Sequence, residues 1–402
     1  MHNFKILKDI NIKNKRVLLR VDFNVPIGKD GKIDKAESWR IEAMIPTLRY
    51  LIKQQTKVIL VSHLGRPNGK INKKYSLKPI ALVLRKILKK KILFSSEIIG
   101  KKVEKKIQKM DFGDILILEN IRFLTGEENN SPKLAKDLAK LVDFYVNDGF
   151  AVSHRLHASI VGIPKYLVKL ESGAPFAVGL LFEKEIRELD KIIKEPKRPL
   201  VAIIGGAKIS TKITVINKFL EIADKVLVAG ALANDIFAFQ GLNMGKSTID
   251  ERSFEEVKKI DLKNPKLFLP VDLVSWDGKN VFYREINEVG KNEKVLDIGS
   301  KTINLFSEII KNARTIIWNG PLGLTEQKPL DRGTREIIEA IAKSRAYSVA
   351  GGGDTVAFIR EIKKEKIFNH LSTGGGALLD YLVSKTLPGI EALKNAKGLE
   401  NK

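Results

Sequence analysis

Short runs that are apolar at almost every position recur along this chain: VLLRVDF (17–23), KVILVSH (57–63), DILILEN (114–120), DFYVNDG (143–149), PLVAIIGG (199–206), KVLVAG (225–230), LFLPVDLV (267–274), TIIWNG (315–320) and AYSVAGGG (346–353). A strand apolar on both faces has both faces covered, which is the condition of a parallel sheet under helices. The intervening segments, such as IEAMIPTLRYLIKQ and LKPIALVLRKILKK, carry apolar residues three and four apart and read as amphipathic helices. The alternation predicts an α/β chain with mainly parallel sheets. At 402 residues it is too long for one ordinary domain, so two doubly wound, Rossmann-like three-layer domains are expected. The stretch Glu171-Ser172-Gly173-Ala174-Pro175 reads as the hinge, placing the domains at 1–173 and 174–384.

Composition narrows the class further. Hydrophobic residues make up 44%, ample for two cores, and no run approaches membrane-span length. The first residues carry no secretory pattern, so a cytoplasmic protein is expected. Without cysteine there is no thiolate nucleophile and no Cys-built metal site. The 71 Lys and Arg against 47 Asp and Glu raise the question of nucleic acid. Yet the lysines sit on helix faces such as KLAKDLAKLV, and no basic run interleaves aromatics that would stack bases. No nucleic-acid or membrane partner is therefore expected, and the excess charge serves to attract small anions.

Almost every apolar run ends in a polar or glycine cluster, where open α/β sheets bind ligands. Before residue 170 these clusters hold Arg, His, Asp and Asn. RVDFNVP places Arg20, Asp22 and Asn24 at alternate positions of one expected strand, with Arg20 read as half of a structural Arg–Asp pair on an edge strand. His63 and Arg66 follow in SHLGRP, Arg122 after LILEN, and Arg155 with His154 and His157 in NDGFAVSHRLH, while Arg40 opens a helix in SWRIEAM. Several arginines at successive strand ends suit phosphate and carboxylate, which Arg binds bidentately.

After residue 200 the clusters are glycines with lysines. GGAKISTK places Gly205 and Gly206 at a strand end, with Lys208 and Lys212 one turn apart. Gly351, Gly352 and Gly353 lead into Asp354 and Thr355, and Gly374, Gly375 and Gly376 open another helix. Glycines let backbone N–H groups approach phosphate oxygens at helix starts. Asp354 is a helix N-cap or a Mg²⁺ ligand beside those phosphates. WNGPLGLTE fixes Asn319 and Pro321 in a rigid loop, with Glu326 a helix cap or a ribose contact. GLNMGKS (241–247) has the wrong glycine spacing for a P-loop and follows a helix. No GxGxxG follows a strand, which argues against a dinucleotide enzyme.

Taken in order, RVDFNVP, SHLGRP, GGAK, WNGP, GGGDT and STGGGA resemble the phosphoglycerate kinase family from the first residues through LPGIEAL (387–393). The resemblance implies reversible phosphoryl transfer from 1,3-bisphosphoglycerate to ADP, giving 3-phosphoglycerate and ATP, with Mg²⁺, in a cytoplasmic monomer that closes about its hinge. It implies a phosphoglycerate site of Asp22, Asn24, Arg40, His63, Arg66, Arg122 and Arg155. The nucleotide would meet Gly205, Gly206, Lys212, Asn319, Pro321, Glu326, the 351–355 loop and the 374–376 helix start, with Asp354 on Mg²⁺. Arg40, Lys208 and Lys212 would carry the catalysis, Arg40 and Lys208 neutralising the transferring phosphoryl. The last residues, about 385–402, would return onto the first domain.

Thr211, the segment AGALANDIF (229–237), GFAVSHR and Leu378 depart from the family pattern. Three alternatives follow: another small-molecule kinase or acyl-phosphate enzyme, a basic nucleic-acid-binding protein, and a non-catalytic or weakened homologue acting as a binding protein.

Overall fold

The computed structural model describes residues 4–28, 32–33, 38–168, 176–206 and 212–394. The expected hinge at 171–175, Lys208, Thr211 and the chain beyond 394 lie outside them. The strands are β1 (Arg16–Arg20), β2 (Lys57–Val61), β3 (Ile92–Ser95), β4 (Ile115–Leu118), β5 (Phe144–Asn147), β6 (Phe176–Val178), β7 (Leu200–Ile204), β8 (Lys225–Val228), β9 (Leu267–Phe268), β10 (Asp272–Trp276), β11 (Val281–Glu285), β12 (Lys294–Ile298), β13 (Thr315–Asn319), β14 (Tyr347–Gly351) and β15 (His370–Leu371). They form two six-stranded sheets that are parallel throughout and one three-stranded antiparallel sheet.

The chain divides into two compact units. The first runs to Arg187 and takes in the chain again from Thr386; the second is Glu188–Lys385. The division falls inside the helix Leu180–Ile193, whose first turn is capped by Asp148 accepting from the Phe182 N–H at 2.9 Å.

In the first unit the order is β3-β4-β2-β1-β5-β6. Successive strands step to one side of β1 and then, with β5, to the other, so the order reverses between β1 and β5. Val17, Leu18 and Leu19 of β1 and Val58, Ile59 and Leu60 of β2 are fully buried, which explains why these runs lack polar alternation. Each such side chain contributes about 1.5–3 kcal/mol. One face of the sheet packs on the helices Ile45–Lys53 and Lys78–Leu88 through Leu48, Leu51, Ile80 and Leu84. The helix Pro388–Lys394 belongs to this unit: the Gly389 N–H donates to the Ser153 carbonyl at 2.9 Å, and Ala392 packs with Val152 and Ile160.

The second unit has the order β15-β14-β13-β7-β8-β9, reversing between β7 and β13. Trp318, fully buried, anchors its core with Phe306, Ile316 and Ile338. A crevice at the carboxyl ends of the reversing strands, where open α/β sheets bind ligands, is thus defined in each unit.

The structure corrects four expectations. LFLPVDLV is not one strand: Pro270 separates β9 from β10, and β10 joins β11 and β12 in the antiparallel sheet. RVDFNVP is not strand throughout, since β1 ends at Arg20 and leaves Asp22 and Asn24 in the following loop. Arg20 is not on an edge: β1 lies between β2 and β5, and the carboxylate facing Arg20 is that of Glu127. The N-cap of the helix Gly353–Glu361 is Gly352, with Asp354 inside the first turn.

Candidate active site

At the carboxyl ends of β1, β2, β4 and β5, the first unit gathers a cationic cluster. Asp22 sits at its centre, its Oδ1 3.5 Å from His63 Nδ1 and its Oδ2 4.0 Å from Arg40 Nη1. The same Oδ1 accepts from the Asn24 N–H at 3.1 Å, which folds the chain back just after the strand. Asn24 Oδ1 accepts from the Gly65 N–H at 2.8 Å, and Arg122 Nη1 donates to the Gly65 carbonyl at 2.8 Å. The SHLGRP turn is therefore held from both sides. Gly65 has φ +61°, and a side chain there would strike the Tyr75 ring, so the turn requires glycine.

His63 is 2% exposed and titrates well below its ordinary range, because burial and the charges of Arg20, Arg122 and Arg40 disfavour imidazolium. His157 is pushed down to about 3, chiefly by burial and then by Arg122 and Arg20. Both histidines are thus neutral at pH 7, and the arginines facing them carry the positive charge. Arg40 is half-buried, whereas Arg66 and Arg155 are exposed on their loops. Among the described residues Arg66 and Arg155 enter no ion pair, so their guanidinium groups are open to an anionic ligand. Among the residues expected here, Asp22, Asn24, Arg40, His63 and Arg122 are joined by these contacts; no contact ties Arg66 to them, and only the charge of Arg155 reaches His157.

The sequence reading missed Glu127 and Ser159. Glu127 is fully buried and accepts from the Ser159 N–H at 2.8 Å and its hydroxyl at 2.6 Å. The same hydroxyl accepts from Arg20 Nε at 2.7 Å. Ser159 lies in the one π-helical turn among the described residues, Ala158–Gly162, a conformation that concentrates at functional sites.

In the second unit, two glycine turns meet in the crevice between β7 and β13. The Gly205 N–H donates to the Asn319 carbonyl at 2.9 Å and the Gly206 N–H to that of Pro321 at 2.8 Å. Gly206 and Gly320 both have φ of +94°, a left-handed conformation that favours glycine. Lys212 caps the helix Ile213–Ile222. Its ammonium donates to the Gly205 carbonyl, and burial pulls its pKa down to about 8, with Asp354 acting in the opposite direction. The Gly320 N–H donates to Thr355 Oγ1 at 3.0 Å, tying this turn to the 351–355 loop.

Gly206, Gly230, Asn234, Pro321, Glu326 and Asp354 are among the residues that line a cavity of about 210 Å³. Apolar residues such as Leu273, Val295 and Leu322 share the lining with a few polar groups, the usual make-up of a small-molecule site. Asn319 Nδ2 is buried without a hydrogen-bond partner among the described residues, and a side chain at Gly352 would press on it at 3.3 Å. That unsatisfied donor beside two glycine turns is a cradle for an anionic oxygen. The glycine turn that caps the helix Gly375–Ser384 adjoins it, since a Cβ at Gly375 would touch Gly352 Cα at 3.7 Å. Gly351 lies under Leu378, which leaves it no room for a side chain. Gly376 continues that helix.

Gly230 and Asp297 are among the cavity residues that the sequence reading did not single out. Gly230 falls at the end of KVLVAG and within AGALANDIF without being marked as a site residue; a Cβ there would lie 3.0 Å from the Gly206 nitrogen. Asp297, in KVLDIG, accepts from the Ile298 and Gly333 N–H groups at 2.9 and 2.7 Å, and burial raises its pKa to about 7. No spacing in the sequence marks it.

Among the described residues no three His, Asp or Glu side chains gather around a possible ion. Asp354 is an exposed carboxylate of the cavity lining, to which Glu326 and Asp297 also contribute. That donor set fits Mg²⁺, which prefers one or two carboxylates and takes its remaining ligands from phosphate and water.

Two parallel sheets, each with a polar crevice where its strand order reverses, one cationic and one glycine-rich, make this a two-unit α/β phosphotransferase. The sequence profile of phosphoglycerate kinase matches residues 7–385. The phosphoglycerate kinases of Pseudothermotoga lettingae and Finegoldia magna are each 42% identical over 97% of this chain, which covers 98% and 99% of theirs. The crystal structure of the Pyrococcus horikoshii OT3 phosphoglycerate kinase superposes with a TM-score of 0.87 at 32% identity over 99% of this chain and 100% of that one. The Coxiella burnetii phosphoglycerate kinase gives 0.80 at 36% identity over 98% and 99%. The chain belongs to the phosphoglycerate kinase family.

Proposed function

We propose that the chain transfers the acyl phosphate of 1,3-bisphosphoglycerate to ADP, yielding 3-phosphoglycerate and ATP, reversibly and as a step of glycolysis. The family match over 7–385 carries this reading. None of the comparisons favours a non-catalytic binding protein.

In this reading the cluster around Asp22 is the phosphoglycerate site. Arg122, Arg66 and Arg155 neutralise the phosphate, His63 and Asn24 contact the carboxylate and hydroxyl end, and Asp22 orients Arg40 and His63. Arg40, from this unit, and Lys208, outside the described residues, offset charge on the transferring phosphoryl. Lys212 and the N–H groups of the helix starts at 353 and 375 hold the nucleotide phosphates, Asn319 Nδ2 takes one oxygen, Pro321 packs on the nucleoside and Glu326 receives the ribose hydroxyls. When bound at Asp354, Mg²⁺ supplies charge neutralisation and fixed geometry to the nucleotide phosphates. Phosphoryl transfer needs in-line placement and preorganised positive charge more than a covalent nucleophile, and no nucleophile is called for here. Hinge closure would exclude the water that hydrolyses an acyl phosphate.

We also read the chain as a cytoplasmic monomer acting on small molecules. Among the described residues no helix is long and apolar enough to cross a membrane. The test is steady-state kinetics with each substrate varied. Arg122→Ala should raise KM for 3-phosphoglycerate and Asn319→Ala that for ATP, each leaving the other KM within about twofold. Variants that raise both values alike, or neither, would sink the assignment of the two crevices.

A further inference from the structure

His63 has its Nδ1 contested by two groups. Arg20 Nη2 points an N–H at it from 3.5 Å, and Asp22 Oδ1 stands 3.5 Å away as a charge partner. The two neighbours demand opposite tautomers. Arg20 can only donate, so its contact needs a bare Nδ1 and puts the ring proton on Nε2; Asp22 can only accept, so its contact needs Nδ1–H and leaves Nε2 bare. Arg20 wins only if its guanidinium is fixed.

Glu127 supplies that fixation. Arg20 is 1% exposed and Glu127 fully buried, with Nη2 and Oε1 4.0 Å apart. The Ser159 hydroxyl links them, accepting from Arg20 Nε at 2.7 Å and donating to Glu127 Oε1 at 2.6 Å. Arg20 Nη1 is bound by the Val21 carbonyl. Tyr145 donates to the Ser159 carbonyl at 2.7 Å, so Ser159 itself cannot drift. Nε and Nη1 are thereby committed, and Nη2 is left aimed at His63.

We propose that Glu127 is a positioning residue of the phosphoglycerate pocket, holding Arg20 so that His63 presents Nε2–H, a donor, to the anionic ligand. The proposal rests on reading this pocket as the phosphoglycerate site. A bare Nε2 would instead turn a lone pair toward an anion. Glu127 touches no substrate in this scheme; its effect passes through the buried hydrogen bonds of Ser159 and Arg20, whose strength benefits from exclusion of water.

The experiment is long-range ¹H–¹⁵N spectroscopy of the full chain with labelled histidine and no ligand present. Five histidines give a tractable spectrum, and His63→Gln assigns the signal. The expected wild-type pattern at pH 7 is a neutral ring protonated at Nε2. In Glu127→Gln, which keeps the shape and removes the charge, the tautomer ratio should move toward Nδ1–H by about fivefold or more, the worth of one ordinary hydrogen bond. KM for 3-phosphoglycerate should rise about tenfold, with kcat and KM for ATP within about twofold. Arg20→Lys, which keeps the cation and loses the fork, should shift the tautomer the same way if Glu127→Gln folds poorly.

A wild-type ring protonated at Nδ1, or a tautomer unmoved in both variants, overturns the proposal. A merely structural role for Glu127 would raise KM without moving the tautomer, and that result also overturns it. Because the tautomer is read without ligand, failure of the chain to turn over 3-phosphoglycerate would refute the reading of the pocket and still leave this question decided.

Discussion

Replacing Gly205 by alanine puts the nucleotide crevice to a direct test. The added methyl would lie 2.6 Å from the Gly320 carbonyl oxygen and closer still to that of Pro321. Both obstacles are backbone, so no side chain can swing aside, and the β7 and β13 turns must separate by on the order of 1 Å to reach ordinary contact. Separation breaks the two hydrogen bonds that join them, Gly205 to Asn319 and Gly206 to Pro321, at about 1 kcal/mol each. Overpacking adds about 1–3 kcal/mol, for a total of about 3–5 kcal/mol. Gly241 provides the control: its φ is +86° with nothing within 4 Å of a Cβ, so Gly241→Ala incurs only left-handed backbone strain, about 1–2 kcal/mol. Urea denaturation gives the stabilities, and calorimetric titration with ADP reads the site. Gly205→Ala should lose the greater stability and weaken ADP at least about tenfold, equivalent to about 1.4 kcal/mol, while Gly241→Ala binds ADP as wild type does. Equal stabilities with equal ADP affinities would refute the pairing of these two turns as the base of the nucleotide site.

Further predictions follow from single side chains. Lys212, pulled down to about 8 by burial, carries its charge at pH 7 and loses it as pH rises through 8. ADP affinity should therefore fall between pH 7 and 9, and calorimetry on Lys212→Met should show that fall abolished. The same shift means the unfolded chain holds the Lys212 proton more tightly, so this residue's share of stability should increase with pH between about 8 and 10.5, which denaturation of wild type against Lys212→Met can read. Tyr145→Phe removes a buried hydroxyl bonded to the Ser159 carbonyl at 2.7 Å and should lower stability by about 1–2 kcal/mol. For hinge closure, small-angle scattering should show a smaller radius of gyration with 3-phosphoglycerate and a non-hydrolysable ATP analogue together than with either alone; no change would remove closure from the mechanism.

The sheets were legible because burial on both faces leaves an unbroken apolar run, as in LVAII of β7, where all five residues are buried. The antiparallel sheet was not. Its strand β11, VFYRE, is half-exposed along most of its length, so its pattern fades into that of a loop, and β10 was hidden behind Pro270. Short β3 and β6 escaped for a related reason, offering too few residues for a period to show. In the sites, strand-end positions such as Asp22, His63 and Asn319 could be read because the end of an apolar run marks a place in space as well as in sequence. Partnerships across the chain could not. Glu127 and Ser159 stand 32 residues apart, and neither TGEE nor HASIVG carries a spacing that announces the contact. Arg20 showed the opposite failure, a correct structural reading attached to the wrong partner, because sequence adjacency suggested Asp22 where the fold supplies Glu127.

The central claim is tested most directly by ATP formation. Purified chain with Mg²⁺, ADP and 1,3-bisphosphoglycerate should produce ATP in step with 3-phosphoglycerate, with acetyl phosphate a poor replacement and with activity collapsing in Lys208→Ala. A folded wild-type protein that makes no ATP, or that accepts other acyl phosphates equally well, would contradict the account.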